Sequence, residues 1–299
     1  MRTELDAQGL FQPKYAAYLE TVVHLRPRLH RYCARMTGSV LDGEDVMQET
    51  LFEAYRKLDS YDDSRALGPW LFRIAHNRCI DFLRKREVPQ LLEEEAVEPI
   101  EPPAWGVGHA VERLVVLLPP MERACVLLKD VFDYALEEIA ELVGSTVGGV
   151  KAALNRGRGK LATAAGARDV GPAIQPEAAK LLRLYVERFN RHDWEAVREL
   201  AKADARLRVA DCFAGRLADS PYFVEYERAE VAWRMELGEV DGETVVLVLR
   251  DLGDGLVPTA AVRVEVEGDR IARITDYFKC PWVLAASECV AVSSAGRDT

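Results

Sequence analysis

The stretch Gly43-Glu44-Asp45-Val46-Met47-Gln48-Glu49-Thr50-Leu51-Phe52-Glu53-Ala54-Tyr55 decides how this chain is read. On a helix, Asp45, Gln48, Glu49 and Phe52 fall at i, i+3, i+4 and i+7 and share one face. Met47, Leu51, Ala54 and Leu58 make a second, apolar stripe. That stripe can bury and leave an acid, amide and aromatic face outside. Spacing alone describes an ordinary amphipathic helix; the sequence around it says more.

About 20 residues on comes Gly68-Pro69-Trp70-Leu71-Phe72-Arg73-Ile74-Ala75-His76-Asn77-Arg78-Cys79-Ile80-Asp81-Phe82-Leu83-Arg84-Lys85-Arg86. Pro69 suits a first helical turn, where its missing N–H costs little. Leu71, Ile74, Ala75, Arg78 and Phe82 keep a helical period, and Arg73, Arg78, Arg84, Lys85 and Arg86, with His76 and Asn77, give an electropositive helix suited to phosphates. Over roughly Leu25 to Arg86 the chain resembles region 2 of the extracytoplasmic-function sigma factors. The resemblance is carried by the run Asp45, Gln48, Glu49, Phe52 and by the run Trp70, Leu71, Arg73, Ile74, Ala75, Asn77, in that order and at the right separation.

At 299 residues, with 49% hydrophobic content, the chain has room for two or three globular domains. It has no apolar run of membrane-spanning length and no basic, then apolar N-terminal pattern, so neither a membrane span nor a secretion signal is expected. Six cysteines are scattered without a CxxC pair. They imply neither a zinc site nor a disulfide framework, no cofactor is expected, and the composition suits a reducing cytoplasm.

The net charge of −10 is unevenly placed. Residues 14–87 carry 13 Lys and Arg against 11 Asp and Glu, and residues 109–168 carry 8 against 7. Residues 88–108 hold five acids and no base, with Pro89, Pro99, Pro102 and Pro103, which reads as an acidic linker. That segment cannot lie favourably on DNA; composition alone describes a solvated spacer.

Residues 1–13 read as a loose lead-in and residues 109–165 as helices. Within these, Leu136, Ile139, Ala140 and Val143 form the apolar face of a short helix. Gly144 permits a sharp turn, Ser145 or Thr146 can cap the next helix, and Val147, Val150 and Leu154 anchor it. Lys151, Asn155, Arg156 and Arg158 can then face a duplex, as a helix-turn-helix requires. Gly157 and Gly159 should weaken the end of that helix. The glycines are not a phosphate-cradling loop, because no strand precedes them and no Gly-Lys-Ser/Thr follows. This segment resembles sigma region 4, with Leu117-Leu118-Pro119-Pro120-Met121-Glu122-Arg123 as its entry and Val147 to Arg158 as its recognition helix; Gly149 and Gly157 depart from the family's usual residues.

After the connector Gly166–Pro176, a helix is expected over about Glu177–Phe189 and another from near Asp193, which can cap it. Beyond Ala205, alternating and apolar runs predict a strand meander, with a hairpin turn at Glu267-Gly268-Asp269. Residues 177–285 resemble a SnoaL-like, nuclear-transport-factor-like α+β cone, through Tyr185 to Trp194 and Ile274 to Tyr277. Tyr185, Asp211, Asp276 and Tyr277 are candidates for lining a cavity there, whereas His192 reads as a surface turn residue.

The predicted fold is therefore multidomain: two all-α domains, a region 2 over 14–87 and a helix-turn-helix region 4 over 109–168, joined by the linker 88–108 and followed by an α+β cone over 177–285. The resemblance implies a sigma factor that brings core RNA polymerase to promoter DNA. Asp45, Gln48, Glu49 and Phe52 would bind the polymerase. Tyr61, Ser64, Arg65, Trp70, Arg73, Asn77, Arg78, Arg84 and Arg86 would bind the −10 element, with Trp70 either a base-stacking face or core. Ser145, Thr146, Lys151, Asn155, Arg156 and Arg158 would bind the −35 element. The C-terminal domain would contact the sigma regions and modulate activity in place of a separate anti-sigma protein, with a small ligand as a further option. A one-component helix-turn-helix regulator is the competing reading. The absence of a Ser/His/Asp or metal-spaced set argues against an enzyme.

Overall fold

The computed structural model describes residues 13–62, 64–90, 117–164, 176–253, 255–287 and 289–293. The expected lead-in up to residue 12, almost all of the acidic linker and nearly all of the second connector lie outside these residues, while Pro13 already opens the first helix. The chain divides into two compact units, 1–169 and 170–299. Each has its own hydrophobic core.

In the first unit, α1 (Pro13–Thr37), α2 (Val40–Lys57) and α3 (Leu67–Gln90) pack together. Gly38 (φ 85°) ends the first helix. Ser39 caps the second, its hydroxyl accepting from the Asp42 N–H at 3.3 Å. Gly43 is where α2 approaches α1, because a Cβ there would run into the Ala34 backbone. The apolar stripe is buried as its period predicts: Met47, Ala54 and Leu58 are fully enclosed and Leu51 packs against the same core. The third helix runs past Val88 to Gln90, so the segment expected to begin the linker starts helical.

Next come α4 (Pro120–Val126), a π turn (Leu127–Val131), α5 (Leu136–Val143) and α6 (Val147–Ala164). Gly144 sits at φ 67°, the left-handed turn the helix-turn-helix reading needs. Thr146, rather than Ser145, caps α6, accepting the Gly149 N–H at 3.1 Å. Gly157 does not end the helix. It is buried where α6 crosses α4, and a Cβ there would meet Val126 and Leu118. Its small size is a packing requirement that outweighs its poor helix propensity.

The second unit opens with α7 (Pro176–Asn190) and α8 (Trp194–Glu199), the latter capped by Asp193, which accepts from Ala196 at 3.1 Å. Strands β1 (Ala201–Val209) and β2 (Phe213–Arg216) follow, then α9 (Tyr222–Glu227), β3 (Trp233–Val240), β4 (Glu243–Asp251), β5 (Leu256–Glu267), β6 (Arg270–Asp276), α10 (Pro281–Ala286) and β7 (Val290–Val292). Among the described residues these strands form one sheet in the order β2-β1-β6-β5-β4-β3-β7, with β1 and β6 parallel and the other pairs antiparallel. Gly268 (φ 65°) makes the expected turn between β5 and β6. The sheet and α7 enclose a core centred on Phe189, whose ring meets Tyr185, Trp194, Tyr222, Phe223, Tyr226 and Trp233. This is the α+β architecture read from the sequence. No described helix is long and apolar enough to cross a membrane.

His76 does not add charge to α3. It is buried, with Nδ1 3.0 Å from the Tyr32 hydroxyl, and burial lowers its pKa to about 4. His30, also buried, is shifted the same way by burial, against the pull of Glu44. An imidazole in the unfolded chain titrates near ~6.5, so between about 4 and ~6.5 the unfolded state binds more protons than the folded one. Melting temperatures measured across this window should fall as pH falls, and a His76→Gln variant should show a shallower fall; an unchanged slope in the variant would contradict this.

Candidate functional site

The outer face of α2 is arranged as its spacing predicts. Asp45 and Gln48 are half-buried, Glu49 is exposed and the Phe52 ring is 65% exposed. The ring stands beside acids, with the Arg56 guanidinium 5.9 Å from its centroid. Glu44, which the pattern did not single out, underlies this face. It is fully buried, 3.3 Å from the Arg26 guanidinium, and accepts from the Gln48 amide at 2.7 Å. The only sequence signal for it is its place four residues before Gln48. Leu19 and Val23 on α1 are exposed as well.

The basic helix is less uniformly available than its composition suggests. Arg73, Asn77, Arg84 and Lys85 are exposed. Arg78 is ion-paired with Glu53, which also takes Lys57 at 2.5 Å. Burial pushes the Glu53 carboxyl up, but hydrogen bonds from Lys57 and Arg78 outweigh it and leave the pKa lowered. Arg86 lies 3.4 Å from Asp42. Ahead of this helix, the Tyr61 and Trp70 rings lie 4.5 Å apart at 37° and both pack against the core. Tyr61 donates to the Arg65 carbonyl at 2.7 Å, and Ser64 donates its hydroxyl to Asp62 at 2.7 Å. Trp70 is thus part core and part exposed face.

Ser145 and Thr146 just ahead of α6, and Lys151 and Asn155 on it, are exposed, and Lys151 makes no ion pair among the described residues. Arg156 and Lys160 both reach Glu122, at 2.9 and 2.8 Å, and Arg158 forks onto Asp130 at 2.5 and 3.0 Å. The Lys160 and Arg156 hydrogen bonds hold the Glu122 carboxyl below its ordinary pKa. Two of the four expected duplex-facing side chains, Arg156 and Arg158, therefore have acidic partners, on α4 and on the π turn.

The two helical modules of this unit pack against each other. Arg28 lies over Phe72, Phe132 and Tyr134, 5.8, 5.5 and 5.2 Å from the ring centroids, and donates to the Phe132 carbonyl at 2.8 Å. Arg123 donates to the Met36 carbonyl. As a result Tyr61, Arg65, Trp70 and Arg73 share a cleft of about 440 Å³ with Tyr134, Glu138, Glu141 and Leu142, and Arg65 stands 3.7 Å from Glu141. The aromatic and basic residues expected to read DNA face two carboxylates in this arrangement.

In the second unit a cavity of about 490 Å³ opens beside α9. Asp276 lines it and is 1% exposed. Its Oδ2 accepts from Tyr222 at 2.9 Å and Tyr226 at 2.6 Å, and its Oδ1 accepts the Phe278 N–H at 2.8 Å. Burial raises the carboxyl above its ordinary pKa, while the Tyr226 and Tyr222 hydrogen bonds work against the rise. Of the four residues expected here, only Asp276 lines the cavity. Tyr185 is fully buried in the aromatic core, Tyr277 is likewise enclosed, and Asp211 is exposed at φ 63° in the turn after β1. The partners that the sequence reading missed, Tyr222 and Tyr226, stand one turn apart on the short α9.

Residues 21–88 match Sigma-70 region 2 and residues 108–161 match Sigma-70, region 4. The ECF RNA polymerase sigma factor SigG of Mycobacterium tuberculosis is 32% identical over 213 residues, which is 60% of this chain and 58% of SigG. The ECF RNA polymerase sigma factor SigF of Caulobacter vibrioides is 32% identical over 145 residues, 47% of this chain and 81% of SigF. Among solved structures, the extracytoplasmic function sigma factor SigJ of Mycobacterium tuberculosis aligns over 86% of this chain and 95% of its own at 15% identity, with a TM-score of 0.36.

If Arg28 ties the helical modules together, Arg28→Ala should loosen both at once. The loss of about 1–3 kcal/mol expected from its ring contacts and hydrogen bond corresponds to amide exchange roughly 5- to 150-fold faster. Hydrogen–deuterium exchange should show this in α1 and in residues 127–134 together; faster exchange in only one of them would contradict the coupling.

Proposed function

This chain belongs to the extracytoplasmic-function RNA polymerase sigma factors, and from that premise we propose that it brings core RNA polymerase to specific promoters and starts transcription there. The exposed face of α2 supports this reading most directly. Phe52 in water, flanked by Glu49 and backed by half-buried Asp45 and Gln48, gives an apolar anchor within an acidic rim, which is the composition of a protein-docking hot spot. A repressor that acts without polymerase has no need of it.

Promoter contact falls to two other surfaces. Trp70 and Tyr61 offer stacking faces for an unpaired −10 base, with Arg73, Asn77 and Arg84 exposed successively along the same helix for phosphates and base edges. Ser64, Arg65, Arg78 and Arg86 contribute after giving up their present acidic neighbours. Ser145, Thr146, Lys151 and Asn155 at the start of α6 meet the −35 duplex in the major groove, and Arg156 and Arg158 join by exchanging Glu122 and Asp130 for phosphates. The linker 88–108 spans the two modules. The domain from about residue 177 to 285 modulates activity by contact with the sigma regions, taking the place of a separate anti-sigma protein.

Charge reversal at the docking face tests this. The Asp45→Lys/Glu49→Lys chain should fail to co-migrate with core polymerase on gel filtration and give no run-off transcript, while keeping its circular dichroism spectrum. Retained co-migration would contradict the assignment. The full chain compared with one stopped after Arg168 in the same transcription assay reads the sign of the C-terminal domain's effect, and identical transcript levels would remove its regulatory role.

A further inference from the structure

The cavity in the second unit is built for a ligand, and its chemistry can be specified. Its walls are apolar and aromatic: Leu207, Val209, Phe213, Trp233 and Phe278. The Trp233 indole N–H is already committed to the Tyr226 carbonyl at 3.0 Å, so what it presents to a guest is ring surface. A volume of about 490 Å³ lies within the range of pockets that enclose small organic molecules.

Of the charged residues in the lining, Glu225, Arg228, Glu230 and Lys279 are exposed, and only two are drawn inward. Asp276, at the buried end, has Oδ2 filled by two tyrosine hydroxyls and Oδ1 taking one backbone N–H, which leaves one acceptor position on Oδ1. A buried carboxyl held this tightly on one side keeps a fixed orientation. The second group is Arg250 on β4. It is half-buried, lies 4.8 Å over the Phe278 ring and makes no ion pair among the described residues. Its charge is felt by the Asp276 carboxylate, which it helps keep ionised, but no ion pair commits its N–H donors, so they are available to an anion in the cavity.

We propose that this cavity binds a flat, largely apolar organic anion that places its acidic group on Arg250 and one N–H or O–H donor on Asp276. The inference rests on the second unit alone, and its failure leaves the promoter reading where it stands.

Anilinonaphthalene sulfonate has this chemistry: fused rings, a bridging N–H and a sulfonate. Added to the full chain, it should bind saturably, one per chain, with a rise in fluorescence. Cys212 provides a local reporter, because it lines the cavity and is exposed, whereas Cys33, Cys79, Cys125 and Cys280 are buried. Bound probe should slow alkylation of Cys212, followed by peptide mass spectrometry. Arg250→Gln should weaken binding about tenfold, the effect of losing one charge-assisted contact, while Arg250→Lys retains most of it. Asp276→Asn, checked for fold by circular dichroism, should weaken binding too. Any of three results overturns the proposal: no saturable binding; binding that leaves Cys212 alkylation unchanged, as probe on the exposed Leu252, Leu256 and Val257 would; or equal affinity in Arg250→Gln and the parent chain.

Discussion

The guanidinium of Arg28, laid over Phe72, Phe132 and Tyr134 and donating to the Phe132 carbonyl, joins the first helix to the turn that leads into the helix-turn-helix. Much of the first unit's arrangement follows from it. Because the modules meet there, the cleft that holds Tyr61 and Trp70 is closed on its far side by α5, and Glu138 and Glu141 come to face Arg65 and Arg73. The same economy recurs across this unit. Arg78 is paired with Glu53, Arg86 with Asp42, Arg156 and Lys160 with Glu122, and Arg158 with Asp130. Each of these pairs balances its cation's charge within the unit. Only the Arg158–Asp130 pair is of the exposed, salt-sensitive kind; Glu122 is buried and Glu53 and Asp42 are half-buried, so stripping their cations leaves carboxylates poorly solvated.

Helical periodicity made the elements of this unit legible, because its signal is local. The buried stripe of α2 and the apolar anchors Val150 and Leu154 lie where a period of 3.6 residues puts them, and Gly144 turns the chain where its missing Cβ permits a left-handed backbone. Ion pairing was not legible. The acids that hold Arg78, Arg158, Arg156 and Lys160 lie 25, 28, 34 and 38 residues away, on separate elements brought alongside only by packing. Gly157 was misread for a related reason: helix propensity is a property of one chain segment, whereas the crossing with α4 is not.

In the second unit the strands were visible from their alternation, and Asp276 was visible at the end of the last long one. Its tyrosine partners were not, because α9 spans six residues and is too short to show a period. The core explains why they are there. Phe189 gathers Tyr222, Phe223 and Tyr226 around itself, and this packing aims the two phenols at the carboxylate. A buried acid is tolerated only when donors surround it, so the aromatic cluster and the polar end of the cavity form one structure.

The account turns on which surface meets RNA polymerase, and Phe52 is the residue to ask. With a benzoylphenylalanine photo-crosslinker replacing Phe52 in the full chain, irradiation beside core polymerase should yield a covalent adduct with a polymerase subunit, and the same probe replacing exposed Val292 on β7 should yield none. Absence of an adduct from position 52, under conditions where the chain supports transcription, would contradict the assignment of α2 as the docking face.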